Sequence, residues 1–585
     1  MIAIALLAMA LTPGDTAMTP LHRLFADDWQ YRMEQGPESA TFLGDHRYDA
    51  RLTDLSIAAI EGRHAHDRMV LARARAIKPA SLRGQDRLSL QLFLWEKSVD
   101  VEGQRFPTWL MPLDQLDGVQ LAFPQLIAAM PYRTAHDYDN YLARLNAFPR
   151  VISQTIALLR EGIRTGWVQP AFQLRGIPAQ IQPQLVTDPA RSPVYTPVTA
   201  FPPGIGEAER ARIAAAARRA IADSVVPALR ALNEFVEREY LPAGRNAPAA
   251  DSLPGGHEYY AWQIRRYTTL TLPAAAIHQI GLDEVKRIRL AMDSVQQQAG
   301  FKGTFAEFLE FLRTDPRFYV SSADELVEGY RDIAKKIDGA LPGQFATLPR
   351  TPYGVRAFPD YEGPSQTTAR YYPSAADGSR AGFMMVNTWQ LSARPTYEME
   401  ALTLHEAMPG HHLQIARAQE LAGLPDFRRN AGYTAFVEGW ALYAEQLGGD
   451  LGLYTDPYSR FGQLTYEMWR ACRLVIDTGI HTMGWSRDSA IAYLLANSAK
   501  SKQDAAVEVD RYIVWPGQAL AYKLGELRIT AIRRQAEAAL GDRFDVRRFH
   551  NALLDDGPLP LEVLQAQMNR WIAAEKSGRR NGAAH

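Results

Sequence analysis

The segment His405-Glu406-Ala407-Met408-Pro409-Gly410-His411-His412 puts three histidines and a carboxylate into eight residues of a chain with only 13 histidines. Imidazole and carboxylate are donor types that hold zinc. In the common helical zinc motif, HExxH, two histidines one turn apart share the ion and the glutamate between them reaches its water. Here position 409 is proline, and the next histidines stand six and seven residues after His405. An ideal helix turns about 100° per residue, so His411 would point roughly 240° away, while His412 would face correctly but lie about 10 Å along the axis. A straight helix therefore closes neither onto one ion. Pro409 removes a backbone donor and clashes with the preceding turn, and Gly410 adapts to any backbone. A two-residue bulge absorbing Met408 and Pro409 restores a His-Glu…Gly-His pair. That reading selects His411 as second ligand, with His412 as the alternative.

A catalytic zinc takes three protein ligands and keeps its fourth position for water. The run Phe436-Val437-Glu438-Gly439-Trp440-Ala441-Leu442-Tyr443-Ala444-Glu445 supplies the third. Glu438 follows His411 by 27 residues, enough for a loop and a returning helix, and Gly439 lets another backbone approach closely. Glu445, two turns on, faces the same way, so one of the two binds the metal, with Glu438 preferred, and the other orients a histidine. The expected centre is one Zn²⁺ per chain on His405, His411 and Glu438, with Glu406 as general base. Candidates for an oxyanion donor are His481, Tyr512 and Tyr522. Arg370, Arg511 and Lys523 are candidates to bind a peptide carboxylate, and a strand over 381–387 is a candidate to hold substrate backbone by strand addition. Any one of these residues alone would be read as surface or core. The cluster carries the inference, since several buried titratable groups are costly unless paired or metal-bound.

Helices must position these residues. Apolar residues recur at helical spacing over 205–238, with Pro227 as a kink, and over 273–298, 304–313 and 322–338. Pro273 suits the first turn of its helix. The pattern fades over 339–395, where 370–373 and 381–389 read as short strands. Helices return over 396–420, 431–447, 460–481, 487–499, 502–513 and 517–540. Residues 183–204, rich in Pro and Thr, read as a surface loop, and the tail from Lys576 as frayed. The expected fold is mainly α, with a small β-sheet beside the active-site helices. No solenoid repeat, phosphate-binding glycine loop or GxSxG motif occurs in the sequence.

With 585 residues the chain exceeds one ordinary core, so two lobes are expected, 18–345 and 346–585. A net charge of −1 gives no global reason to bind nucleic acid. The single cysteine, Cys472, excludes an internal disulfide and a multi-cysteine metal site, and its apolar surroundings mark it as a core residue. Residues 2–11 are apolar and end at Pro13-Gly14, too short for a bilayer span. They are similar to the core of a secretory signal, although no Lys or Arg precedes them. Residues 1–17 are read as a signal segment and the protein as periplasmic or secreted, with a cytoplasmic protein carrying a buried N-terminal helix as the alternative. No later stretch is long enough for an integral membrane segment.

The segments HEAMPGHHLQ and EGWALYAEQLG resemble the signature of a bacterial domain-of-unknown-function family that is grouped with gluzincin-type zinc metallopeptidases. They are more distantly similar to the HExGH…E pattern of the thimet oligopeptidase and carboxypeptidase Taq families. Segments 270–288, 370–387, 473–494 and 511–529 extend the resemblance over most of the chain from about residue 20. The resemblance implies a zincin-like catalytic lobe, a channel between two lobes, and a metallopeptidase acting on short peptides. Competing readings are another zinc-dependent amide or ester hydrolase, a non-catalytic secreted metal-binding protein, and a metal-free helical scaffold.

Overall fold

The structure, a computed structural model, describes residues 18–359, 362–376 and 378–578. The proposed signal segment lies outside them. The fold is mainly α with one three-stranded sheet. The elements that matter for the site are α1 (Pro20–Gln35), α2 (Gly84–Gly103), α3 (Ala274–Gln298), α4 (Ala323–Ala340), β1 (Tyr353–Ala357), β2 (Ala369–Tyr372), β3 (Gly382–Val386), α5 (Met399–Glu406), α6 (His411–Gln419), α7 (Thr434–Gln446), α8 (Pro457–Thr482), α9 (Lys502–Val514), α10 (Leu520–Leu540) and α11 (Leu561–Lys576).

Several helices start where the sequence offers a cap. Ser322 accepts from the Glu325 amide at the start of α4, Asp456 accepts from Tyr458 and Ser459 at α8, and Ser501 accepts from Asp504 at α9. Pro273 is the residue before α3 rather than a member of its first turn. The expected kink at Pro227 takes a specific form. The rod over 207–243 contains two π-helical turns, Ile221–Val225 and Val236–Tyr240, and Pro227 follows the first of them. Widening the turn there accommodates a residue that cannot donate to the helix.

α8 is buried around its whole circumference from Phe461 to His481, as expected of a helix at the centre of a large core. Leu21 and Phe93, from α1 and α2, share one apolar cluster with Trp440, Ile532 and Met568, from α7, α10 and α11. Residues 183–204 hold two 3₁₀ turns, Pro189–Arg191 and Pro193–Val198. Val194, Tyr195 and Val198 are buried against Ile213 and Phe235, so this stretch is a packed connection, not a surface loop.

The sheet order is β1-β3-β2, with β1 parallel and β2 antiparallel to β3. β3 is therefore central, hydrogen-bonded on both sides, and its Met384 and Val386 are fully buried. β2 has β3 on one side and no strand on the other among the described residues. The expected helix over 396–420 is two helices, α5 and α6, separated by residues 407–410. α11 ends at Lys576, the residue from which the sequence reads as tail. Among the described residues no helix is long and apolar enough to cross a membrane.

Candidate metal centre

α5 presents His405 and Glu406 on its last turn. The helix ends at Ala407, where ψ is −121°, passes through a cis Met408–Pro409 peptide and restarts at His411. Gly410 is required by close approach: a Cβ there would lie 1.9 Å from the His405 carbonyl oxygen and 2.3 Å from that of Leu404. The buried Trp440 indole donates to the Pro409 carbonyl at 2.8 Å, and the His412 amide donates to Ala407 O at 3.2 Å. A four-residue break, pinned by α7, thus replaces the expected two-residue bulge. It brings the His411 ring to 4.8 Å from that of His405, nearly perpendicular to it.

α7 carries Glu438 into the same place. Its Oε2 lies 3.5 Å from His405 Nε2 and 3.3 Å from His411 Nε2. One ligand atom from each of the three residues falls within 4.8 Å of the others. Glu438 Oε2 is buried and has no well-directed hydrogen-bond donor among the described residues. Two imidazole nitrogens and a carboxylate oxygen in that arrangement fit a zinc ion with one open position. Burial works against charge on His405, but the Glu438 and Glu445 carboxylates outweigh it and raise its pKa to about 9. Burial likewise opposes ionisation of Glu438, and the two histidines overcome it, so its carboxyl sits well below the usual range.

α7 reaches this position through a backbone contact. A Cβ on Gly439 would stand 2.5 Å from Gly525 Cα, and one on Gly525 would stand 1.9 Å from the Ala435 carbonyl oxygen. The expected close partner of Gly439 is therefore α10. Glu445 Oε1 receives a hydrogen bond from His405 Nδ1 at 2.8 Å, which leaves Nε2 facing Glu438. Arg470 NH2 lies 3.5 Å from the same oxygen, and the Tyr454 hydroxyl donates to the Glu445 carbonyl. His412 points elsewhere. The Tyr371 hydroxyl donates to its Nδ1 at 2.8 Å, and its Nε2–H donates to Thr351 O at 3.0 Å. Burial lowers its pKa to about 4, so it is a neutral link between α6 and the sheet.

These groups open onto a cavity of about 300 Å³ whose wall includes Glu406, the 366–371 segment leading into β2, and Tyr522. Of the three oxyanion candidates only Tyr522 lines it. Its ring is stacked 6.4 Å from His405, and its oxygen accepts from Gln518 Nε2 at 3.4 Å. Burial raises its pKa, so the hydroxyl keeps its proton. His481 is fully buried away from the cavity: Nδ1 accepts from the Ala250 amide and Nε2–H donates to Tyr512 O. The Tyr512 hydroxyl is enclosed by Trp469 Nε1 at 2.9 Å and Arg473 Nε at 3.1 Å. Both were expected as possible donors, and both are structural.

The proposed carboxylate binders divide similarly. Lys523 is fully buried among Glu284, Glu467 and Glu526, at 3.1, 2.9 and 2.8 Å, and cannot reach substrate. Arg370 and Arg511 line the cavity. So do Arg470 and Arg473, which the sequence reading overlooked. The only signal is weak: Tyr466, Trp469, Arg470 and Arg473 recur about one turn apart on α8, among other polar residues such as Gln463, Thr465 and Asp477. β3, expected to hold substrate, has no free edge, and the strand beside the cavity is β2.

Comparison with known proteins adds the family and the fold. The structure of a "putative lipoprotein" from Colwellia psychrerythraea is similar at 28% identity and a TM-score of 0.90, covering 94% of this chain and 98% of that one. A "putative lipoprotein of unknown function" from Shewanella oneidensis is similar at 18% identity and a TM-score of 0.64, covering 94% and 99%. No curated protein matches. The model of the family described as "Bacterial protein of unknown function (DUF885)" matches residues 37–568, nearly the whole described chain, and the protein belongs to that family.

Proposed function

We propose that this protein is an exported zinc metallopeptidase that hydrolyses short peptides, with a zincin-like catalytic half and a gluzincin-type ligand set. The observation that carries the reading is the convergence of His405, His411 and Glu438 on one point at the wall of a cavity that Glu406 also lines. A purely structural metal site would be closed and would have no use for an adjacent carboxylate.

A zinc ion held by His405, His411 and Glu438 supplies Lewis acidity, polarising a carbonyl and acidifying a water. The protein's own groups do the rest. The free edge of β2 holds the substrate backbone in extended form by strand addition. Glu406 accepts the proton of the attacking water and delivers it to the leaving amine. The neutral Tyr522 hydroxyl donates to the carbonyl oxygen as negative charge develops there. Leu116, from the N-terminal half, forms part of the same wall, which supports a channel between two lobes. A cavity of this size admits an extended peptide of a few residues and excludes a folded chain. The apolar residues 2–11 and the likeness to chains described as lipoproteins support export to the periplasm.

The test is cleavage of a mixed library of short peptides by zinc-loaded wild type, chelated wild type and zinc-loaded Glu406→Gln. Cleavage by the first alone is expected, with a loss of at least about 10²-fold for Glu406→Gln. Zinc bound in both proteins with no cleavage by either would replace peptidase with another zinc hydrolase or a binding protein.

A further inference from the structure

In the same cavity as the proposed metal ligands, α8 and α9 contribute a cationic lining that none of the catalytic steps uses. Arg473 and Arg511 both direct NH2 at Glu508 Oε2, each at 3.0 Å. Two guanidinium groups therefore share one carboxylate. The nearby Tyr512 contributes no charge, because burial raises its pKa. The remaining N–H donors of the two guanidinium groups differ in how they are used. Arg511 gives NH1 to Gln518 Oε1. Arg473 gives Nε to the Tyr512 hydroxyl, but its NH1 is buried with no acceptor among the described residues. Arg473 is 3% exposed. An unpaired donor on a buried cation is costly unless something else supplies the acceptor.

Position adds to charge. Tyr522 is a common neighbour of the two walls: Arg473 Cζ lies 4.1 Å from its ring centroid, and the same ring stacks on the ligand His405. Arg473, Arg511 and Gln518 line the same cavity as Glu406. The Arg473 guanidinium, ion-paired through NH2 but with NH1 unmatched, thus stands one aromatic ring away from His405, a span that a few extended residues of about 3.3–3.6 Å each can cover. The chemistry that satisfies it is a planar anion able to accept from a guanidinium edge, and on a peptide that is a carboxylate.

We propose that Arg473, supported by Arg511, binds the free C-terminal carboxylate of the substrate, so that the protein releases one or two residues from the C-terminal end of short peptides. This inference rests on the peptidase reading above and adds the substrate class and the site that recognises it. Arg370, on β2 at the exposed side of the cavity, does not supply this contact, because it is solvated and lacks the buried, unpaired donor.

The experiment compares two degenerate libraries of N-acetylated pentapeptides, one with free C-terminal acids and one with C-terminal amides. Zinc-loaded wild type is assayed by mass spectrometry for products. Zinc-loaded Glu406→Gln is used in parallel to capture uncleaved peptides, a readout that does not depend on hydrolysis. The expected results are an acid preference of about tenfold or more in both arms, the scale of one charge-assisted hydrogen bond, and products shortened by one or two C-terminal residues. The preference should collapse towards unity in Arg473→Gln and shrink in Arg511→Gln. Should one variant fail to fold, the other and the wild-type comparison still decide. Equal treatment of acids and amides in both arms, internal cleavage of both libraries, or an undiminished acid preference in the folded variants would overturn the proposal. If neither library is cleaved but acids are selectively captured, the peptidase reading fails and the carboxylate site stands.

Discussion

Gly525→Ala places one methyl group where the structure has no room and moves the site without touching it. The new Cβ would lie 1.9 Å from the Ala435 carbonyl oxygen and 2.8 Å from Gly439 Cα, whereas ordinary contact begins near 3.4 Å. Both obstacles are backbone, so no rotamer change relieves them. α7 and α10 must separate by about 1 Å or more, at a cost typical of overpacking, about 1–3 kcal/mol. Glu438 immediately precedes Gly439 on α7, and Tyr522 lies one turn before Gly525 on α10. The displacement therefore pulls the proposed metal ligand Glu438 and the proposed oxyanion donor Tyr522 apart. Metal-ligand distances tolerate only about 0.2 Å, and a 1 Å misplacement of a reacting group can cost about 10²-fold in rate. The assay is zinc affinity by chelator competition and peptide hydrolysis, alongside denaturant unfolding. Gly449→Ala is the control, since a Cβ there meets nothing within 4 Å. Unchanged zinc affinity and stability in Gly525→Ala would refute the argument that the Gly439–Gly525 contact sets the position of Glu438.

Three further outcomes are expected. Glu445→Gln removes the charge that receives the His405 Nδ1 hydrogen bond, so zinc affinity should fall about 10–100-fold while the fold persists; chelator competition that gives the wild-type value would contradict this. Lys500→Met leaves Glu398 buried and unpaired where the lysine stood 2.8 Å away, and should destabilise by about 3–5 kcal/mol in chemical denaturation. His481 and His550 are held neutral by burial, with pKa values lowered to about 3 and about 4. Their contribution to stability is complete above an unfolded pKa of about 6.5 and is lost as pH falls towards the folded values, so at pH 5.5 each removes about 1.4 kcal/mol. Unfolding curves at pH 7.5 and 5.5 should show that loss, and His481→Gln should reduce it.

The His405–His411–Glu438 cluster was legible because chemistry restricts which residue types can share an ion, and because Pro409-Gly410 forbids the straight helix that would have misplaced His411. The choice of His411 over His412 depends on backbone angles at Ala407 and Gly410, and on Tyr371 and Thr351 engaging both nitrogens of His412. Nothing local in the sequence encodes those contacts. His481 and Tyr512 have suitable chemistry, but which face of a helix meets the cavity is settled by packing. Periodicity gives no direction for α8, because every face of it is buried. The same property hid Arg473. Strand boundaries near 370 and 382 followed from composition, whereas edge against centre is a matter of sheet order, which joins β1 to β3 across the intervening residues 358–381. β1 itself was missed, since Tyr353-Gly354-Val355-Arg356-Ala357 buries only Val355 and shows no convincing alternation.

The central claim is the ligand set, and zinc content measured by plasma mass spectrometry on purified, metal-supplied variants tests it most directly. Wild type and His412→Gln, which keeps a donor and an acceptor for Thr351 and Tyr371, should each carry about one zinc per chain. His405→Ala, His411→Ala and Glu438→Gln should carry little or none while remaining folded. Zinc retained by those three, lost only from His412→Gln, or absent from the wild type would contradict the account.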